Sequence, residues 1–526
     1  MRQCLTSPEG GYYTQKNNGK DQFGQKGDFI TSPEISQVFG ELLGVWLVAE
    51  WMTQGKISKG VEIIEVGPGR GTLMNDMLRV WYGSIVKPDE LKKLRPEPDR
   101  QQVQALGLDP ALRETQRQLL CGDAQTEDID IGFRSKSKYG QIPVTWCEDI
   151  RLVPSDPTKT PFIFAHEFFD ALPIHAFQSV PPNPAMSPPQ RTLETPTGPI
   201  SLSKPSPQSQ KPSWRELVVT PTAPSQNQRT PNSTKPPLDF QLSLAKASTP
   251  PSLFLPTLSE RYKALLPTPG ATIEISPESH SYAEDFARRI GGGGASPSAP
   301  SKGAPSSSSS SSPTQTTNPT AQPPLELTPN PSGAALIIDY GPLSTVPISS
   351  LRGIRAHSPV SPFESPGLVD LSADVDFTAL AEAALKASPR VEVHGPVEQG
   401  AWLEAMGIRA RAEMIVKGMD VGEGGGEEGD GGGGEVGGEG GGGMGRLYKV
   451  MAIVPERGGG GRWGLGGGWN DDTKMEIGLR LGLSLSINVV IVPNQGHVDQ
   501  YVPRNWTLTF HQVAEHARKQ TYCANR

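Results

Sequence analysis

The sequence predicts a doubly wound α/β domain, and three observations predict it. Apolar runs of strand length alternate with segments of helical periodicity. One such run, EIIEV at 62–66, breaks into the glycine turn GPGRG at 67–71 and then into a helix. The strand-like runs are predominantly apolar, as strands buried on both faces are. Parallel pairing with helices on both faces of the sheet follows.

The first segment, 1–60, is read as helical. Ser32-Pro33-Glu34 gives a helix start, with Ser32 as N-cap, Pro33 at the first helical position and Glu34 facing the dipole. Ile35, Val38, Phe39, Leu42, Leu43, Trp46 and Leu47 then keep the three-and-four spacing of a helix with one buried face, running to about Trp51. The first half of the α/β domain, 61–177, begins with the strand 61–66 and the helix carrying Leu73, Met74, Met77 and Leu78. Further strands are predicted at 103–108, 142–146 and 161–165, with a helix at 110–120.

A fifth strand, ALIIDY at 335–340, comes only after a long interval. Within 178–290 the runs WRELVVT (214–220) and 240–245 predict a small antiparallel insertion among Pro-rich stretches. Residues 291–333, with an unbroken serine run at 306–312, have almost nothing to bury and are expected to be a disordered linker. The second half of the domain, 334–455, offers a helix at 377–387 behind Asp374 and Asp376, another at 397–407, and a late strand LYKVMAIV at 447–454. The Gly/Glu-rich loop 422–445 lies between them. Residues 456–526 read as an atypical tail in which only LSLSINVVIV is strand-like.

Composition narrows the class. Gly 59 and Pro 52 make up about a fifth of the 526 residues and are clustered, which leaves much of the length outside a packed core. Six acids (Glu423, Glu427, Glu428, Asp430, Glu435 and Glu439) sit in the glycine-rich loop; without them 50 acidic residues face 49 basic ones, which excludes a global electrostatic footprint for nucleic acid. Cys4, Cys121, Cys147 and Cys523 lie far apart, and His175, His357 and His394 are isolated, so neither a disulfide framework nor a metal site is expected. No apolar run reaches the roughly 18 residues of a membrane span. The N-terminus MRQCLTSPEGGYY carries neither a signal-peptide core nor an Arg- and Ser-rich presequence; on its residues alone the protein is expected to be cytosolic, or its start codon to lie inside a longer gene.

A glycine turn between strand and helix lets the backbone approach a ligand while the helix N-terminus offers unpaired N–H groups. The dinucleotide fingerprint places its third glycine five residues after the first. Here Gly67, Gly69 and Gly71 bring it one residue early, and Glu65 stands two residues before the first. A carboxylate there repels a pyrophosphate and attracts an ammonium. Acid and spacing together favour S-adenosylmethionine, whose amino-acid moiety carries such an ammonium, over NAD; a tight turn without a ligand is the remaining account. Asp109, beyond the second strand, is the candidate for the ribose hydroxyls. Glu148 or Asp149, after the third strand, could reach an adenine amino group or be a turn acid.

His166, Glu167, Phe168, Phe169 and Asp170 follow the fourth strand, at the edge where doubly wound sheets bind ligands. Glu167 and Asp170 can hold the planar five-donor fork of a guanidinium, drawing its charge toward the held nitrogens and freeing another to attack. Phe168 and Phe169 are candidates for a dry wall and a stacking face, and His166 for a proton acceptor; a plain core pair and a structural histidine are the alternatives. Asp28 and Thr31, ahead of the first long helix, are candidates for a lid over cofactor or substrate.

Five ordered motifs, GDFITSPEISQVFGELLGVWL (27–47), EVGPGRGTLMNDMLR (65–79), FAHEFFDALPIHAFQ (164–178), DLSADVDF (370–377) and YKVMAIVP (448–455), resemble the MidA-type protein arginine methyltransferases of mitochondria. The resemblance covers about 5–455, apart from the low-complexity insertions. It implies a class I methyltransferase-like fold dependent on S-adenosylmethionine, symmetric dimethylation (type II) of an arginine on a complex I subunit, a role in complex I assembly, and a mitochondrial matrix location. A non-catalytic assembly chaperone on the same fold is the alternative. Three departures accompany it. Gly107 stands where the family tends to place Glu at the end of the second strand, with Asp109 two positions later. The chain opens where the family has a targeting segment and an extra helix. Residues 456–526 do not resemble the family and are expected to be a lineage-specific tail or translated non-coding sequence.

Overall fold

The computed structural model describes residues 1–7, 10–13, 28, 30–55, 60–85, 110–156, 158–182, 192–195, 198–201, 211–222, 238–292, 330–420, 444–456 and 487–492. Its strands are β1 (Val61–Val66), β2 (Glu127–Ile129), β3 (Gly132–Lys136), β4 (Pro143–Trp146), β5 (Thr160–His166), β6 (His175–Val180), β7 (Thr192–Thr195), β8 (Gly198–Ser201), β9 (Ser213–Pro221), β10 (Phe240–Leu244), β11 (Thr272–Ile275), β12 (Ala334–Tyr340), β13 (Arg352–Arg355), β14 (Ser358–Val360), β15 (Asp370–Ser372), β16 (Val391–Glu398), β17 (Tyr448–Pro455) and β18 (Ile487–Val492).

The central sheet follows the order β16-β17-β12-β5-β1-β18-β4-β3-β2. Strand periodicity sorts its apolar residues between two layers. Val61 and Ile63, Phe162 and Phe164, and Leu336 and Ile338 face the helices Gln37–Thr53 and Thr72–Ile85. Ile64 and Val66, Ile163 and Ala165, and Ala335 and Ile337 face the helices Pro277–Gly291 and Phe377–Ala387. The apolar residues of these strands are thus explained: they alternate between two helix-covered layers. The order also sets the C-terminal ends of β1, β5 and β12 side by side, which brings the glycine turn and the loop after His166 together.

The insertion is antiparallel, β10-β9-β6-β11, around Phe177, Trp214, Tyr262, Ile273 and Ile275. Asp376 caps the helix Phe377–Ala387 by accepting from Ala379 N–H at 3.1 Å. Cys121 and Cys147 are free buried thiols, pushed up by burial to about 11 and about 12, and so poor nucleophiles.

Several expectations are corrected. Ser32 is the first helical residue rather than the cap. The N-cap of the short helix Ser32–Ile35 is Thr31, and the long helix starts anew at Gln37 behind Ser36, whose hydroxyl accepts from Val38 N–H at 3.2 Å. That long helix is buried nearly all round between its ends, Val45 excepted, because the helices Thr72–Ile85 and Ile408–Asp420 cover it as well as the sheet. Val397 and Glu398 belong to β16, and the helix begins at Gln399. Pairing is not parallel throughout: β17 runs antiparallel to both β12 and β16. The chain returns beside β16 from the end at which it left, and that geometry admits only antiparallel neighbours. The strand expected at 103–108, with Gly107 and Asp109, lies outside the described residues, as does most of the loop 422–445. The strand-like run of the tail does form a strand: β18 pairs in parallel with β1 on one side and β4 on the other.

Candidate functional site

Each glycine of the turn after β1 takes a left-handed backbone, with φ of 74° at Gly67, 50° at Gly69 and 82° at Gly71. A side chain at Gly69 would meet nothing within 4 Å, so there the backbone conformation, and not space, demands glycine. Gly71 N–H closes the turn on Pro68 O at 2.8 Å. Gln116 braces it from outside, donating to Gly69 O at 2.6 Å and accepting from Trp146 Nε1 at 3.0 Å.

The turn forms one wall of a cleft of about 840 Å³ counted out to its open mouth, lined also by Thr31, Glu34, Glu65, Arg70, His166, Glu167, Asp170, Tyr340 and Asp370. Glu65, 2% exposed, receives the Met74 backbone N–H, while its Oε2 has no hydrogen-bond partner in the protein. Burial holds this carboxyl up at about 8. A buried acceptor without a partner, beside a glycine turn and a helix N-terminus, fits a ligand that presents an ammonium.

The loop after β5 forms the opposite wall. Glu167 has φ of 50°, a rare conformation for a residue with a side chain, and its N–H is tied to Ile338 O at 3.0 Å. Asp339, fully buried, accepts from the N–H groups of Phe168 (3.1 Å), Phe169 (2.8 Å) and Asp170 (3.3 Å), which folds the loop over the end of β12. Removing that carboxylate strands three buried donors. Asp339→Ala is therefore expected to lower stability by about 2–4 kcal/mol, seen as a lower urea midpoint at unchanged slope.

Carboxylates converge on the cleft. Burial, then Asp170, Glu34 and Asp370, push Glu167 up to about 8. Asp370 stands at about 7, again chiefly through burial, and Asp170 is raised for the same reason. Few cations answer them: Arg70 reaches Glu34 at 3.2 Å, and Arg352 pairs with Asp374 at 2.6 Å while also easing Asp170. Ser372 donates to Asp170 at 2.9 Å and the Tyr13 hydroxyl to Asp370 at 2.6 Å. His166, 7% exposed, is held down by burial to about 3 and is neutral at physiological pH. Its Nε2 lies 3.7 Å from Glu167 Oε1, too far for a hydrogen bond, and its ring is parallel to that of Tyr448.

Of the residues singled out from sequence, Glu65, Gly67, Gly69, Thr31, His166, Glu167 and Asp170 meet in this cleft. Gly71 shapes the turn from behind. Phe168 and Phe169 do not line it: they are core, edge-on to Tyr282 within the second apolar layer, because the loop's backbone is drawn inward to Asp339. Asp149 caps the short helical turn Ile150–Leu152 and pairs with Arg151, which commits its carboxylate. Asp28 accepts from Tyr12 Oη (2.8 Å) and Ala356 N–H (2.8 Å), pinning the N-terminal segment to the β13–β14 hairpin. Sequence reasoning missed Asp339, Tyr340, Asp370 and Tyr448. A lone acid inside the apolar run ALIIDY was the available signal for the first.

With the geometry in view, comparison with known proteins is informative. The sequence profile of the S-adenosyl-L-methionine-dependent methyltransferase family Methyltransf_28 matches residues 42–397. The chain is 32% identical over 422 residues to the mitochondrial protein arginine methyltransferase NDUFAF7 of Rattus norvegicus, covering 79% of this chain and 71% of that protein. It is 30% identical to the Homo sapiens protein of the same name, covering 79% and 70%, and 30% identical to the Drosophila melanogaster homologue, covering 79% and 72%. A crystal structure of a COG1565 superfamily member from Burkholderia thailandensis, bound to S-adenosyl-homocysteine, aligns over 89% of this chain and 87% of that one at 17% identity and a TM-score of 0.47. The chain belongs to the S-adenosyl-L-methionine-dependent methyltransferase family Methyltransf_28.

Proposed function

We propose that this methyltransferase acts on an arginine side chain of a protein, dimethylates it symmetrically on a complex I subunit, and does so in the mitochondrial matrix during assembly of that complex. One observation carries the arginine reading: Glu167, Asp170 and Asp370 converge on the cleft, joined by Glu34 beside Arg70 of the glycine turn, and among the described residues Arg70 and Arg352 are the cations that answer them. The names of the relatives support the same substrate class and compartment. A guanidinium stays protonated above pH 12 or so and presents a fork that such carboxylates can hold.

When bound, S-adenosylmethionine supplies an electrophilic methyl: the C–S bond breaks with its electron pair on sulfur, the C–N bond forms from the nitrogen pair, and that nitrogen sheds a proton. The turn Gly67 to Gly71 and Glu65 would hold the cofactor, with Glu65 on its ammonium. Asp170, fixed by Ser372, orients the guanidinium, and Glu167 receives the proton. His166, neutral and buried, adds no charge to repel the substrate. The test is mass spectrometry of a complex I subunit incubated with the full chain and S-adenosylmethionine; absence of symmetric dimethylarginine would sink the reading.

Glu65 gives a further expectation. In the ligand-free protein it keeps its proton up to about pH 8, whereas an ammonium beside it favours the carboxylate, so cofactor binding releases a proton. Affinity should then rise with pH by up to about tenfold per unit below 8, and fall again above it as the ligand's own α-amino group, with a pKa of about 8, loses its proton. Calorimetry in Glu65→Gln should show weaker binding without that rise; a slope that survives the substitution places the proton elsewhere.

A further inference from the structure

Two hydroxyls outside the expected site continue it into the sheet. Tyr448 opens β17 and Tyr340 closes β12, and antiparallel register sets the two directly opposite each other. Their hydroxyl oxygens are 2.5 Å apart, and the Tyr448 hydroxyl also contacts Glu167 Oε1. Tyr448 is fully buried, whereas Glu167 and Tyr340 both line the cleft. The path therefore leaves the cleft at Glu167 and returns to it at Tyr340.

A tyrosine hydroxyl has one proton to donate and lone pairs with which to accept, so a single Tyr448 proton cannot serve both contacts at once. With Glu167 ionised, Tyr340 donates to Tyr448 and Tyr448 to Glu167. With Glu167 protonated at Oε1, Glu167 donates to Tyr448, Tyr448 to Tyr340, and Tyr340 into the cleft. Both arrangements satisfy the buried hydroxyl with the same three oxygen atoms, and they differ by one proton.

We infer that Tyr448 and Tyr340 are positioning residues that hold the Glu167 carboxylate toward the cleft and relay the proton it accepts back to the cleft mouth. This rests on the arginine reading for the origin of that proton. The balance closes. The guanidinium nitrogen gives its proton to Glu167 Oε1 and the two hydroxyls turn. Glu167 then protonates Tyr448, Tyr448 protonates Tyr340, and Tyr340 gives its former proton to water, which restores the first arrangement. Facing Glu167 are Asp170 of its own loop and His166 at the end of β5, Glu34 with Arg70, Asp370 with Tyr13, and Asp339 and Arg352 around Asp170. Burial and the carboxylates favour its protonated form, and the Tyr448 hydrogen bond opposes them.

The test is pH-difference infrared spectroscopy of the full ligand-free chain, following the protonated-carboxyl band that Glu167→Gln lacks. In Tyr448→Phe the midpoint of that band is expected to rise by about one pH unit, and the acid limb of methyl transfer to rise with it. Tyr340→Phe is expected to move the midpoint less and to lower kcat about tenfold at unchanged KM. A Tyr448→Phe midpoint within about 0.2 unit of wild type overturns the inference, as does wild-type kcat in Tyr340→Phe. The infrared measurement needs no substrate. A wild-type chain that shows the shift in Tyr448→Phe but methylates no arginine upholds the held carboxylate and removes the arginine reading alone.

Discussion

Glu167→Gln is expected to lower kcat for methyl transfer by roughly 10²–10⁴-fold, the usual contribution of a positioned base, with cofactor affinity by calorimetry little changed. The amide matches the carboxylate in shape, so the left-handed backbone at Glu167 and its bond to Ile338 persist. What disappears is the charge that holds a guanidinium and the acceptor for its proton. The pH dependence carries a second signature. Burial and its acidic neighbours hold Glu167 up at about 8, so in the free enzyme it is mostly protonated at neutral pH. A base works ionised; kcat/KM should therefore climb as pH rises through about 8 and flatten beyond, and the Gln variant should lose that limb. Asp170→Asn should cost less in kcat and more in KM, because Asp170 is already engaged by Ser372 and serves orientation. A Glu167→Gln chain that keeps more than about a tenth of wild-type kcat is incompatible with a base at this position.

The parts of the fold that were legible from sequence are those in which local chemistry and tertiary demand coincide. EIIEVGPGRG shows its strand, its turn and its ligand side in ten residues, because left-handed glycines and a buried acid are local properties. FIFA and ALIIDY were readable as strands because both faces are covered. What stayed hidden depends on contacts between segments far apart in the chain. Phe168 and Phe169 follow a strand end, a place that suits a ligand-facing or a core residue equally well; the pull of Asp339 on their backbone N–H groups, from a strand some 170 residues away, turns them inward. Tyr448 reads as the start of a strand, and nothing local reveals that antiparallel register will set it beside Tyr340. Asp149 stands after a strand, yet its carboxylate caps the helical turn that follows and pairs with the Arg151 guanidinium. Ser32 looked like a cap because Ser-Pro-Glu is a good start, yet the helix breaks at Ser36 and is capped a second time.

Deletion of 457–526 is expected to unfold the domain, not to trim a dispensable tail. β18 pairs with β1 along the whole of Val61–Val66 and with β4 over Val144–Trp146, so it stands between these two strands in the sheet. Ile491 is fully buried in the larger apolar core, and its carbonyl accepts from Cys147 N–H at 3.0 Å. Without β18 a row of backbone N–H and C=O groups on β1 and β4 loses its partners under two layers of helix. Each such buried group costs about 1–3 kcal/mol, against a total domain stability of roughly 5–15 kcal/mol. A handful of them is decisive. Because β1 carries Glu65 and feeds the glycine turn, cofactor binding should fail together with the cooperative melt, followed by circular dichroism. Ile491→Ala provides the graded version, an expected loss of about 2–5 kcal/mol with the strand still present. A chain ending at Glu456 that melts within a few degrees of wild type and binds S-adenosylmethionine normally would mean that another stretch can take the place beside β1. The run at 103–108, largely apolar and of strand length, is the one the sequence offers; in that case charge-bearing substitutions there should destabilise the truncated chain.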